Sequence, residues 1–158
     1  LSTSDISVTF AFYNGLTKGN EVRFLRKILL VDNNNAITQE LTKLLKRRGY
    51  GVQTAVTVAG AKEAIEKERP LFISSDLDLL DGSGLDLLHS QRNLAERYGA
   101  LVKFRPLFIL TDSRDPATEY QYRQEGVNDY LTSPVNIPEL IRRIRYFIAP
   151  QEQIEAAE

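Results

Sequence analysis

The sequence predicts an α/β fold in which a doubly wound, five-stranded parallel sheet carries helices on both faces. Two observations lead to this fold class. From position 27 onward, short continuous apolar runs alternate with segments whose apolar residues recur at helical spacing. The apolar runs also lack the polar alternation of a strand with one wet face, which is typical of strands buried on both sides. Strands that alternate with helices in this way pair in parallel and are covered on both faces.

The strands are predicted from the apolar runs. Lys27–Val31 is the clearest, because four consecutive apolar residues follow the lysine and a polar stretch ends the run. The other expected strands are Gly51–Ala55, Leu71–Ser75, Pro106–Thr111 and Val127–Leu131.

The helices are predicted from apolar stripes and from residues that stop or start a helix. In the first, Ile37, Leu41 and Leu45 share one stripe, and Gly49 ends it as a C-cap. Pro138 suits the first turn of the last helix. The expected helices are 35–48, Val58–Arg69, Leu85–Tyr98, Ala117–Glu125 and Pro138–Ile148.

The two ends of the chain differ from this alternating region, 27–149. Residues 1–26 alternate apolar and polar and contain Asn14-Gly15, a strong hairpin dipeptide. We interpret them as a strand or hairpin extension, either an added edge strand or the end of a preceding kinase or sensor module. Residues 150–158 are polar and acidic, and we expect a tail or linker. The chain begins at Leu1 without Met, so we expect a processed product or a segment of a longer protein.

Composition excludes several classes of function. Lys and Arg number 20 against 21 Asp and Glu, so the net charge of −1 argues against direct nucleic-acid binding through a basic surface. There is no apolar run long enough to span a membrane and no Cys, so we expect a cytoplasmic protein without disulfides or thiolate metal sites. The single histidine, His89, leaves no room for a poly-His metal site.

Acidic and hydroxyl side chains follow three of the predicted strands. Asp32, Asp76 and Thr111 each lie where a strand ends, and Ser133 follows the last strand. Polar groups that bind ligands collect at the carboxyl ends of parallel strands. The sequence therefore predicts a polar site at this edge of the sheet.

Four segments at this edge resemble the motifs of response-regulator receiver domains. The resemblance covers residues 27–149 and implies a flavodoxin-like (CheY-like) fold. It implies that Asp76 is the phosphoacceptor, that Asp32 and Asn33 hold a divalent cation with it, and that Thr111 and Tyr130 form the switch pair. The Ser133–Pro134 bond is expected to be cis, because the family's equivalent bond usually is. The segments are Ile28–Asn34, Asp76–Gly84, Ile109–Thr111 and Gly126–Pro134.

The chain departs from the family at four positions, three of which change the charge of the site. The lysine before the last proline is Ser133, the second acid of the pair is Asn33, Asp112 replaces a small residue, and Leu80 replaces a proline. Two unit charges about 4 Å apart interact by roughly 4 kcal/mol at an effective dielectric of about 20, so losing the lysine disfavours a phosphoryl group at Asp76. The sequence therefore predicts a pseudo-receiver, not an enzyme, that requires no cofactor and binds Mg²⁺ only weakly.

The last helix suggests how such a domain acts. Glu139–Ile144 resembles the OmpR/PhoB-like winged-helix branch, in which helix four, strand five and helix five form a dimer face. We expect Asp129, Glu139, Arg143 and Arg145 to mark a face that binds a protein partner or a second copy.

Two alternatives remain open at this point. One is a genuine phosphoacceptor, phosphorylated at Asp76 by a histidine kinase and controlling an attached or partner output, with Arg114 or Lys103 replacing the missing lysine. The other is a small-ligand-binding module of flavodoxin-like fold, although the sequence has no glycine-rich phosphate loop.

Overall fold

The computed structural model of the protein describes residues 26–33, 36–98 and 105–157. The hairpin expected in the amino-terminal extension, including Asn14-Gly15, lies outside these residues. So does Lys103, one of the two cations considered for the site.

A five-stranded parallel sheet lies at the centre of the described chain, as predicted. The strand order is β2-β1-β3-β4-β5, and each neighbouring pair is parallel. The central strands are buried along their length, which agrees with their continuous apolar sequence. The strands are β1 (Lys27–Val31), β2 (Gly51–Ala55), β3 (Phe72–Ser75), β4 (Leu107–Thr111) and β5 (Asp129–Thr132).

The helices connect successive strands and cover both faces of the sheet. They are α1 (Ala36–Arg47), α2 (Val58–Glu68), α3 (Gly84–Tyr98), α4 (Pro116–Glu125) and α5 (Ile137–Ala157). Helix α4 begins at an Asp115 N-cap and ends at Gly126, whose φ of 97° lies in the left-handed region that glycine accepts most readily.

Two local predictions were wrong. Helix α5 continues to Ala157, not to about Ile148, so the backbone of residues 150–157 is helical where a linker was expected. The segment after Pro150 consists largely of Gln, Glu and Ala, which are good helix formers, and this preference outweighs a single proline. A short antiparallel pair, Asp78–Leu79 with Gly82–Ser83, also interrupts the loop before α3.

The core forms two layers, one on each face of the sheet. Along β1, Leu29 and Val31 pack with the layer under α2, α3 and α4, while Ile28 and Leu30 pack with the layer under α1 and α5. This alternation follows from the two-residue period of a strand, whose successive side chains point to opposite faces. Both faces are therefore closed, and the exposed carboxyl edge of the sheet is left for polar chemistry.

A membrane-spanning helix must be both long and apolar. Within the described part of the chain, no helix combines the length and the apolar character needed to cross a bilayer.

Candidate functional site: an acidic pocket at the carboxyl edge of the sheet

Strand register places the two aspartates of the predicted site side by side. Val31 of β1 pairs with Ser75 of β3, so the residues that follow them, Asp32 and Asp76, leave the sheet together. The amide of Asp76 donates to the carbonyl oxygen of Val31 at 3.0 Å, which fixes the two strand ends. The sheet therefore brings together the candidates that the sequence predicted at these strand ends. One narrow pocket is lined by Asp32, Ile37, Asp76, Leu110, Thr111, Asp112 and Ser133.

Asp76 is half-buried and held by the loop that follows it. Its Oδ1 accepts a hydrogen bond from the Leu77 amide at 2.7 Å, and its carbonyl oxygen accepts one from the Ser75 hydroxyl at 2.8 Å. Gly84 passes close behind: a Cβ there would lie 2.8 Å from Ile109 Cδ1 and 3.0 Å from the Asp76 carbonyl oxygen. Glycine is therefore required for the loop to pack against the site.

The charge around Asp76 is negative. Burial raises the pKa of Asp76 above its ordinary value, the Leu77 amide lowers it, and the carboxylates of Asp32, Asp78 and Asp112 raise it further. No ion pair joins Asp76 or Asp112 to a basic side chain within the described residues. A group that adds negative charge to Asp76 therefore enters a pocket that already disfavours a single carboxylate.

The two predicted switch residues lie on neighbouring strands, β4 and β5, which pair Thr111 with Thr132. The Thr111 hydroxyl accepts a hydrogen bond from the Ser113 amide at 3.0 Å. Tyr130 is buried with its ring 6.0 Å from that of Tyr122, and its hydroxyl has no hydrogen-bond partner among the residues described. Burial raises the pKa of the Tyr130 hydroxyl.

Ser133 stands where the resemblance implies a lysine. Its amide donates to the Thr111 carbonyl at 2.9 Å, its peptide bond to Pro134 is cis, and its carbonyl accepts from the Arg114 guanidinium at 3.0 Å. Arg114 thus contacts a backbone oxygen of the β5–α5 loop. Among its described contacts there is none with the Asp76 carboxylate.

The predicted Mg²⁺ ligands are Asp32, Asn33 and Asp76. Asp32 already accepts a hydrogen bond from the Thr38 hydroxyl at 3.0 Å, and Asn33 is exposed and does not line the pocket. Within the described residues no three His, Cys, Asp or Glu side chains are grouped as a metal would require. Mg²⁺ prefers an octahedral set of oxygens. Asp32 and Asp76 each have one oxygen that already accepts a hydrogen bond, so without Asn33 they supply only a small part of this set and fit the ion poorly.

The family follows from comparison with known proteins. The sequence model of the response regulator receiver domain matches residues 28–145. The chain belongs to the response regulator receiver domain family. Receiver domains of this kind are signalling modules that interact with histidine kinases and output domains, and some of them dimerise.

Similar proteins agree with this assignment. The receiver is 34% identical over 118 residues to the transcriptional regulatory protein KdpE of Mycobacterium tuberculosis, covering 75% of this chain and 49% of the relative. It is 29% identical over 133 residues to the response regulator MprA of Mycobacterium leprae, covering 84% and 55%. The chain therefore spans about half the length of these relatives. Both are consistent with the OmpR/PhoB-like branch.

A solved structure gives the same fold. The CheY-like receiver domain protein of Methanospirillum hungatei superposes with a TM-score of 0.65 at 26% identity, covering 81% of this chain and 97% of that one.

The receiver's predicted partner face contains a network of ion pairs within the chain itself. Asp129 of β5 accepts from Arg143 of α5 at 2.7 Å, and Glu139 accepts from Arg143 at 3.3 Å and from Arg142 at 2.8 Å. Only 13% of the Asp129 side chain is exposed. Arg145 is exposed and forms no ion pair with a described residue. Three of the four predicted face residues therefore contact one another, and Arg145 stands apart.

Several residues that shape the site and the face were not predicted from the sequence. Asp81 accepts from the amides of Val58 at 2.6 Å and Ala59 at 3.1 Å, so it ties the loop after Asp76 to the first turn of α2, and these amides hold its pKa below the ordinary value. Tyr120 on α4 and Tyr146 on α5 are 67% and 77% exposed. The signal for the tyrosines was present, because both fall outside the buried stripes. Nothing local in the sequence pairs Asp81 with a helix 23 residues away.

Proposed function

We propose that this receiver is a pseudo-receiver: a non-enzymatic module whose phosphorylation is impaired and which acts by binding protein through the face of α4, β5 and α5. The observation that carries the proposal is the charge around Asp76. The charged groups that shift its pKa are the carboxylates of Asp32, Asp78 and Asp112, and the lysine position is Ser133. A phosphoryl group on Asp76 adds negative charge there, without the cation that the family supplies.

Incubation with acetyl phosphate and Mg²⁺, followed by intact-mass measurement, tests the impairment. We expect the mass of this protein to show little or no gain of one phosphoryl group at neutral pH. A receiver domain that has the family's lysine, run in parallel, should be phosphorylated under the same conditions. Asp76→Ala serves as the blank. A stoichiometric gain that disappears in Asp76→Ala would establish a genuine phosphoacceptor and overturn this part of the proposal.

The binding part of the proposal rests on the α5 face. Arg142, Arg143 and Arg145 lie on the exposed side of α5 with Tyr146, and the acids nearest to them, Asp129 and Glu139, are already paired within the chain. The face therefore presents a surplus of arginine beside an exposed aromatic ring. Aromatic and arginine side chains are enriched at protein interfaces.

Sedimentation of the wild type and of Arg143→Glu tests whether a second copy binds this face. The substitution removes one of the arginines that the face presents, and the new carboxylate repels Asp129 and Glu139 of the same chain, so a dimer through the face should dissociate. Arg47→Glu on α1 is the matched control. An oligomeric mass that Arg143→Glu leaves unchanged would argue against self-association through this face.

The relatives suggest the cellular setting. Because the chain spans about half of proteins named as regulators, we propose that the receiver is joined to, or binds, an output module in the cytoplasm. A histidine kinase remains the candidate phosphodonor if the phosphorylation test is positive.

A further inference from the structure

The loop after β4 and the loop after β5 are joined by one side chain. Arg114 donates from its guanidinium to the carbonyl oxygen of Ser133, 19 positions away, at 3.0 Å. The loop that carries Arg114 is itself fixed at both ends. The Ser113 amide donates to the Thr111 hydroxyl at 3.0 Å, and Asp115 caps α4 by accepting from the Ala117 amide at 3.1 Å. Arg114 therefore starts from an ordered backbone and reaches the residue in the lysine position.

The neighbouring acid does not compete for the guanidinium. Asp115 is adjacent to Arg114 in sequence, but its two carboxylate oxygens accept from the Ala117 amide and from the Thr118 hydroxyl. Ser133 follows the last residue of β5, so its carbonyl belongs to no helix and to no pair in the strand register. A guanidinium–carbonyl hydrogen bond satisfies both groups, and hydrogen bonds to charged donors are stronger than neutral ones.

We propose that Arg114 is a latch that holds the β4–α4 loop against the β5–α5 loop without a phosphoryl group on Asp76. In the family, the resemblance implies that the switch hydroxyl bonds the new phosphoryl group and draws the β4–α4 loop inward. In this chain the Thr111 hydroxyl accepts a hydrogen bond from the Ser113 amide of that loop, and Arg114 joins the loop to Ser133. The latch goes beyond the pseudo-receiver proposal, because it holds whether or not Asp76 accepts phosphate.

The latch also sets the shape of a neighbouring cavity of about 380 Å³. One wall comes from the β4–α4 loop and the start of α4, and the other from the end of β5 and Pro134. Tyr130 lies between them, with its ring buried beneath α4. Since Arg114 joins the two walls, its release would let the start of α4 separate from β5, and that junction is part of the partner face.

Amide hydrogen exchange followed by NMR on the full chain, with no phosphodonor present, tests the latch. Arg114→Ala should speed exchange of the Ser113, Arg114 and Asp115 amides by roughly 2- to 10-fold, since one such hydrogen bond contributes on the order of that factor. Arg114→Lys keeps a charged donor, so its loop amides should exchange at rates between those of the wild type and those of Arg114→Ala. Arg47→Ala, which removes an exposed arginine from α1, is the matched control and should change nothing in this loop.

Two results would overturn the latch. One is unchanged exchange of the three loop amides in Arg114→Ala. The other is that Arg114→Ala accelerates amide exchange in β1 and α1 as much as in the loop. That result would mean that Arg114 supports the whole fold and does not join two loops. Neither result bears on the phosphorylation of Asp76, so failure of the latch and failure of the pseudo-receiver proposal remain distinguishable.

Discussion

Replacing Ser133 with lysine restores the cation that the family places in this pocket, and it should convert the receiver towards an ordinary phosphoacceptor. The substitution affects the side chain alone. The Ser133 amide and carbonyl, which bond Thr111 and Arg114, remain available in the variant. Ser133 and Asp76 line the same pocket, so a lysine side chain at position 133 is within reach of the acceptor and the carboxylates around it.

The magnitude follows from the distance and the exposure of the pocket. Two unit charges about 4 Å apart interact by roughly 4 kcal/mol at an effective dielectric of about 20. Asp76 is only half-buried, so solvent screens part of this attraction, and about 1–2 kcal/mol is a realistic gain. Since about 1.4 kcal/mol is tenfold in an equilibrium constant, the ratio of phosphorylated to unphosphorylated protein should rise roughly tenfold.

Intact-mass measurement after incubation with acetyl phosphate and Mg²⁺ provides the assay. Ser133→Gln is the matched control, because it adds length and hydrogen-bonding capacity without charge and should behave as the wild type does. Adding Asp76→Asn to the lysine variant should abolish the gain in mass. The electrostatic reasoning would be refuted if the lysine variant gained no phosphoryl group, or if the glutamine variant gained as much.

Three further substitutions test other parts of the site. Because the folded-state pKa of Asp76 is raised, its ionised carboxylate opposes folding. Asp76→Asn should therefore increase the free energy of unfolding at pH 7, measured by urea titration, and this gain should fade as the pH falls to where the carboxyl is protonated in both states. Gly84→Ala places a Cβ 2.8 Å from Ile109 and should cost about 1–3 kcal/mol in the same titration, while Asn93→Ala at an exposed position of α3 should cost little. Asp81→Ala removes the carboxylate that accepts from two amides at the start of α2, so it should lower the melting temperature. Asp81→Asn keeps one acceptor oxygen and should lower it less. The folded-state pKa of Asp81 is depressed, so its contribution is present above its unfolded pKa and should be lost as the pH falls through the folded value. Equal melting temperatures for the two Asp81 variants and the wild type would contradict its capping role.

The sheet and its polar edge could be predicted because both depend on local rules. A strand buried on two faces must be apolar throughout, so Lys27–Val31 was located to the residue. Parallel strands end at one edge, so Asp32, Asp76 and Thr111 had to meet there.

The contacts of the partner face and of the loops could not be predicted, because they join residues far apart in sequence and no local pattern encodes them. The pairing of Asp129 with Arg143 joins a strand to a helix 14 positions later, and the bond from Arg114 to Ser133 joins two loops. A charge pattern on α5 looks the same whether its arginines meet acids of the same chain or of another. Only the packing of α5 against β5 decides this, and it puts Asp129 largely out of reach of a partner.

Position 133 connects the acidic pocket with the loops that border the partner face. Ser133 lines the pocket, and its backbone anchors Thr111 and Arg114. A serine in place of lysine therefore removes the cation and leaves the junction of the two loops intact. If this separation holds, a protein bound at the α4–β5–α5 face should bind Asp76→Asn as tightly as the wild type and bind Arg114→Ala less tightly. If the affinity of the partner changed in Asp76→Asn instead, the charge of the pocket would still control binding at this face.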